Sequence, residues 1–205
     1  MRLLITGDTH GDQISLTYML KKLRRGDILF VAGDFGYYFQ LNRSEEAFLN
    51  DLPVTEWCGA RVHEVRPNII HVLRGEVLKI KGIKIFCFGG AFSIDRALCV
   101  LNETYWEEEL PTDKDYINAN KNLQANGDEV DYIITHTCPQ NVVASLNGRH
   151  SAREEIPLQN YLQYVSEHAR YDKWFFGHWH MDITVGKIRG IYLDILDMET
   201  GEKIL

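Results

Sequence analysis

The chain has no apolar run approaching the ~20 residues needed to span a bilayer, and the stretch after its first methionine, Leu3-Leu4-Ile5, is only a few residues long. It also lacks CxxC spacing. Its four cysteines, Cys58, Cys87, Cys99 and Cys138, are scattered, which excludes a zinc knuckle or a disulfide scaffold and fits core thiols in a reducing compartment. Basic charge is short as well: 22 Lys and Arg against 29 Asp and Glu give a formal net charge of -7. That balance argues against an extended nucleic-acid surface, which draws on clustered Lys and Arg. A small phosphate ligand is not excluded, because metal ions supply positive charge that a residue count omits. No repeat, low-complexity stretch or long linker divides the sequence. With 45% hydrophobic and 11% aromatic residues, the expectation is one soluble, cytoplasmic domain over residues 1–205 with no membrane partner.

What is present is a series of short apolar runs that stop at polar residues. Residues 2–6 read as a buried strand ending in Gly7-Asp8, and residues 28–32 as a second strand ending in Gly33-Asp34. Between them, residues 14–23 place Leu16, Met19, Leu20 and Leu23 at helical spacing before a helix stop at Arg24-Arg25-Gly26. Strand, helix, strand predicts a parallel βαβ unit, with both carboxylates emerging at the carboxyl ends of neighbouring strands. Further on, residues 69–72, 77–80 and 83–88 read as strands and 112–127 as a helix capped by Thr112 or Asp113. Residues 130–135 form a strand ending on His136, 157–170 a helix, and 174–176 a strand ending at Gly177-His178-Trp179-His180. The remainder reads as antiparallel strands.

Asp8 and His10 are one residue apart in Gly7-Asp8-Thr9-His10-Gly11, His178 and His180 have the same spacing, and Asp34 and His136 each close a strand. Six N and O donors of this kind suit two borderline cations, with a carboxylate able to bridge them and positions left for water and phosphate oxygens. Each alone would read as a loop cap or a satisfied core group. The set of six points to a metal centre.

In order, GDTHG, GDFG, the THTCP segment and GHWH closely resemble the signature of calcineurin-like metallophosphoesterases, spread from residue 7 to residue 180. RGEV (74–77), FGGAFSID (88–95) and YWEEELP (105–111) resemble a bacterial and phage branch of that superfamily. The resemblance implies an α/β fold, a two-sheet mixed β-sandwich flanked by helices in four layers, αββα. It implies two divalent metal ions, with manganese expected and iron or zinc as alternatives. Asp8, His10 and His180 would hold one ion, His136 and His178 the other, and Asp34 would bridge them. The implied activity is phosphoester hydrolysis of a nucleotide or another small phosphodiester.

The family's Gly-Asn-His-Glu or Gly-Asn-His-Asp block is missing. Only 18 residues separate Asp34 from Pro53, too few for the helix and strand that precede that block in relatives. One alignment places Asn42-Arg43-Ser44-Glu45 on it, keeping Asn42 as a metal ligand and putting Arg43 where the family has a histidine that contacts phosphate and protonates the leaving oxygen. The other reading makes residues 41–52 a short amphipathic helix, with Phe48, Leu49 and Leu52 inward. A guanidinium can stabilise phosphate charge but does not readily give up a proton at neutral pH. His150, beside Arg149, is the candidate substitute acid, or else an exposed loop histidine. Loss of the block also raises a second function, a catalytically impaired protein that binds metal and a phosphate ligand. A missing central strand would expose apolar surface, and a homo-oligomer is one way to cover it. Tyr37, Tyr38 and Phe39 read as core or as a stacking surface for a base, and Trp106 with 107–109 as packing or substrate contact. His63, His71 and His168 read as surface or strand residues.

Overall fold

The computed structural model describes residues 1–36, 49, 51–92, 109–146 and 149–204. Asn42, Arg43, the aromatic triplet 37–39 and Trp106 lie outside the described residues. Among those described, no helix is long and apolar enough to cross a membrane.

Strand β1 (Leu3–Thr6), helix α1 (Gln13–Leu20) and strand β2 (Ile28–Val31) form the expected parallel βαβ unit, with Leu3 opposite Ile28 and Thr6 opposite Val31. Asp12 caps α1 by accepting hydrogen bonds from the Ile14 and Ser15 backbone amides. The helix stops at Leu20, three residues before the predicted Leu23. Asp27 explains the early stop: its carboxylate accepts the Arg24 amide hydrogen bond and both a backbone and a guanidinium bond from Arg2, folding residues 24–27 into a turn tied to β1. Met19 is accordingly buried, whereas Leu20, predicted on the same face, is 52% exposed.

Three antiparallel strands follow, β3 (Val54–Trp57), β4 (Ala60–Arg66) and β5 (Ile69–Val72), forming a small sheet of their own. Of these, the sequence pattern had shown only β5. Strands β6 (Glu76–Ile80) and β7 (Ile83–Phe88), helix α2 (Asp113–Ala125) and strand β8 (Tyr132–Thr135) come next. They are followed by the short helix α3 (Gln140–Val143), helix α4 (Ile156–His168), strand β9 (Lys173–Phe176) and the hairpin β10 (Ile183–Val185) and β11 (Ile188–Gly190). Strand β12 (Leu196–Asp197) returns to pair antiparallel with β1. The tail is thus not wholly antiparallel, since β11 runs parallel to β9. Thr112 caps α2, in a capping box with Asp115.

Two sheets make the body, a six-stranded one ordered β10-β11-β9-β8-β7-β6 and a three-stranded one ordered β12-β1-β2. The period-2 alternation of side chains assigns their faces. Phe86, Phe88, Ile133, Trp174 and Phe176 share one core with Ala119 and Leu123 of α2 and with Leu158, Leu162 and Val165 of α4. Their neighbours Ile85, Tyr132, Ile134 and Phe175 point the other way, into a second core with Leu3, Ile5 and Leu196. Leu4 and Ile195 turn from that core to meet Met19 of α1. The layers therefore run helix, sheet, sheet, helix, which is the predicted αββα order. Strands buried on both faces must be apolar throughout, so they read as short continuous runs. Leu49 is helical and 7% exposed, as the amphipathic reading of residues 41–52 expects at that position.

Candidate metal centre

Every donor predicted from the strand ends lies just beyond the carboxyl end of a parallel strand: Asp8 after β1, Asp34 after β2, His136 after β8, and His178 and His180 after β9. Loop-to-loop bonds fix the strand ends within each sheet, and one of them, from His178 to Asp8, joins the two sheets. The Thr9 and His10 amides donate to the Asp34 carbonyl at 3.1 and 2.7 Å, and the Gly11 amide donates to the Phe35 carbonyl. The His178 amide donates to the Asp8 carboxylate at 2.9 Å, and the Gly177 amide to the His136 carbonyl.

Two groups of side chains result. In the first, His180 Nε2 lies 3.2 Å from Asp8 Oδ2, His10 Nε2 lies 3.9 Å from the same oxygen, and the two imidazole nitrogens are 2.9 Å apart. Donors around one ion at ~2.1 Å stand about 3.0–3.4 Å from one another. The three distances bracket that range, so the set fits a divalent cation. The second group is Asp8, Asp34 and His136, with His136 Nδ1 3.5 Å from Asp8 Oδ1 and His136 Nε2 3.7 Å from Asp34 Oδ1. The Ala32 carbonyl, 3.1 Å from His136 Nδ1, accepts a hydrogen bond from Nδ1–H and leaves Nε2 free as a ligand. Asp34 spans the groups, because its Oδ2 also lies 3.7 Å from His10 Nδ1. Asp8 belongs to both groups. The sequence had made Asp34 the bridge; the geometry puts Asp8, at the buried floor, in both groups and Asp34, at the exposed rim, in the second and beside His10 of the first.

His178 joins neither group. It is buried, its ring 5.0 Å from that of His136, with Nε2 3.6 Å from Glu155 Oε1. His150 is exposed in the loop before α4 and belongs to neither group. His63 and His71 face each other across β4 and β5, with Nδ1 atoms 3.3 Å apart, and His168 Nδ1 lies 2.8 Å from the Tyr164 carbonyl at the end of α4. Sequence reasoning passed over two residues next to the centre, Glu155 beside His178 and Tyr192, whose ring stacks on His180 at 4.7 Å.

The local backbone is demanding. His10, His178 and His180 have φ of 46°, 65° and 50°, in the left-handed region that costs a non-glycine residue energy and recurs at functional sites. Two glycines give way to the donors: a Cβ on Gly33 would stand 1.5 Å from His136 Nδ1, and one on Gly177 would stand 2.2 Å from Asp8 Oδ1. Gly33→Ala should therefore displace His136, reduce the ions held per chain and cost about 2 kcal/mol or more. Elemental analysis with thermal melts checks this, and a variant of wild-type ion content and stability would refute it.

Burial works against charge on Asp8, but His136, the hydrogen bond from His180 and the His178 amide outweigh it and pull its pKa down to about 2. Burial likewise opposes protonation of His136, and the carboxylates of Asp8 and Asp34 overcome it, raising its pKa above the ordinary value. The signs define a window for the protein stripped of divalent ions. The His136 contribution is complete below the unfolded value of about 6.5 and is lost as pH rises through the raised folded value. The Asp8 contribution is complete above about 4 and is lost as pH falls through about 2. Chelator-treated protein should therefore lose melting temperature as pH rises from about 6.5 through the raised folded value of His136. Added metal should reverse the loss, since ligation needs neutral imidazole. A melting temperature that rises with pH in chelator would contradict this.

None of the curated proteins matches the chain. The calcineurin-like phosphoesterase family model matches residues 1–182, a span that takes in both carboxylates and all four strand-end histidines of the centre; the chain belongs to that family.

Proposed function

We propose that this protein is a dinuclear, metal-dependent hydrolase of a nucleotide or another small phosphodiester. Family membership implies metal-dependent phosphoester hydrolysis and a pair of divalent ions. The observation that carries the finer reading is the pair of adjoining donor groups that share Asp8 and are spanned by Asp34. Asp8, His10 and His180 would hold one ion. Asp8, Asp34 and His136 would hold the other, with His178 as a further ligand. Mixed carboxylate and imidazole donors favour manganese, iron or zinc over calcium or magnesium. Bound there, such ions supply a water of lowered pKa and positive charge toward phosphate oxygens. The chain's own residues fix where this happens: the Ala32 carbonyl sets the His136 tautomer, Asp8 is locked by the His178 amide, and Asp34 stands open to an incoming ligand.

The substrate preference follows from charge and place. A chain of net charge -7 is poorly suited to a long polyanion, whereas a strand-edge metal centre suits one small phosphate group. The described free thiols, Cys58, Cys87 and Cys138, suit the cytoplasm. The test is hydrolysis of an aryl phosphodiester by metal-free protein to which manganese is returned. Turnover that depends on manganese supports the proposal. Retention of metal with no turnover would favour the second reading, a phosphate-ligand binder, which rests on the missing Gly-Asn-His block.

A further inference from the structure

Beneath the centre lies a buried polar nest. Glu155 is fully buried at the N-terminus of α4, and its side chain makes no capping hydrogen bond to that helix. The carboxylate points inward instead, toward His178, Thr137 and Gln159. All three neighbours are buried, at 4%, 0% and 0% exposure. Among the described residues, five buried side-chain polar atoms lack a hydrogen-bond partner, and four of them are here: both Glu155 oxygens, Gln159 Nε2 and His178 Nε2. Such atoms are costly and rarely left in native interiors. These four are complementary, two carboxylate acceptors facing an amide donor and an imidazole nitrogen. Gln159 keeps its Nε2 for the nest because its Oε1 accepts from the Ser151 hydroxyl. One proton placement on the imidazole suits the arrangement, with hydrogen on His178 Nε2 turned toward Glu155 Oε1 at an ion-pair distance of 3.6 Å.

We propose that Glu155 is a positioning residue that holds His178 in its Nε2-protonated tautomer and so leaves the Nδ1 lone pair to the metal centre. The inference rests on the reading of the centre given above. A carboxylate that takes the remote proton of a ligating imidazole fixes ring orientation and raises ligand basicity. Glu155 gives His178 what the Ala32 carbonyl gives His136. It also accounts for a glutamate buried where a helix start would ordinarily leave it solvated, as the neighbouring Glu154 is.

Two measurements test this. In chelator-treated wild-type protein labelled with 15N-histidine, two-bond proton–nitrogen correlations report which imidazole nitrogen carries hydrogen, with the His178 signal assigned by its absence from a His178→Gln variant. Protonation at Nε2 supports the inference, and an Nδ1-protonated ring overturns it. Calorimetric zinc titration then compares wild type with Glu155→Gln, which keeps an oxygen acceptor, and Glu155→Leu, which does not. Leu should weaken one of the two zinc sites by about 10–100-fold, Gln should weaken it less, and the other site should keep its affinity. A packing role alone would lower the melting temperature or weaken both sites together, and equal affinities in all three proteins would also overturn the inference. Glu155→Gln and the tautomer measurement still decide it where the leucine variant fails to fold. A wild-type protein that takes up no zinc would count against the metal centre itself, and the tautomer alone then decides the role of Glu155.

Discussion

Asp8→Asn is expected to leave the protein without a stable pair of divalent ions and to lower aryl phosphodiester hydrolysis by about a thousandfold or more, a rise of about 4 kcal/mol in the barrier. The substitution keeps shape and removes charge. Asp8 is 1% exposed and lies in both donor groups, with His136 at 3.5 Å on one oxygen and His180 at 3.2 Å on the other. A neutral amide has one weak oxygen for the two positions, where the carboxylate has one charged oxygen for each. The metal-free fold should suffer as well, by about 1–3 kcal/mol, because a buried set of imidazoles loses its counter-charge. Asp34→Ala makes the contrast. Its side chain is 44% exposed, so removing it should reduce ion content and activity while leaving the chelator-treated melting temperature near that of wild type. Elemental analysis and melts on both variants separate floor from rim. Two ions per chain in Asp8→Asn would show that the buried carboxylate is structural only.

The sequence made the centre legible for a physical reason. Strands β1, β2, β8 and β9 stop where the sandwich ends, and a change from apolar run to Asp or His marks that edge residue by residue. The same logic located the βαβ unit, whereas the αββα order was implied by the resemblance of the motifs. It failed where tertiary contacts decide. Strands β3 and β4 are interrupted by charged residues because much of that small sheet is exposed, with Val54 at 54%, so no clean apolar alternation announced them. Their turn is set instead by Cys58 and Gly59, at φ of 52° and 78°. Leu20 fitted a helical stripe, yet the Asp27 turn ends the helix before that stripe is used. Glu155 carried no local signal at all. In Ser-Ala-Arg-Glu-Glu-Ile nothing distinguishes it from Glu154, and only the packing of α4 against the end of β9 brings it to His178, 23 positions later.

Leaving groups should separate substrates sharply, with aryl phosphodiesters cleaved about a hundredfold or more faster than alkyl ones. The family's Gly-Asn-His block is missing from the sequence, and one alignment sets Arg43 in place of its histidine. A positioned general acid contributes about 10²–10⁴ in rate when the departing oxygen is a poor leaving group, and little when it departs readily as an anion. An arginine cannot supply that proton near neutral pH, because the guanidinium holds its proton far above that range. A plot of log kcat against the leaving group's pKa should therefore fall steeply for the wild-type protein. Arg43→His should flatten it by raising the alkyl rates while leaving the aryl rates nearly unchanged. A wild-type protein that cleaves both classes at similar rates has another proton source, and His150→Ala is then the variant to measure, because His150 is exposed in the loop before α4 and histidine is the side chain that most often serves as a general acid.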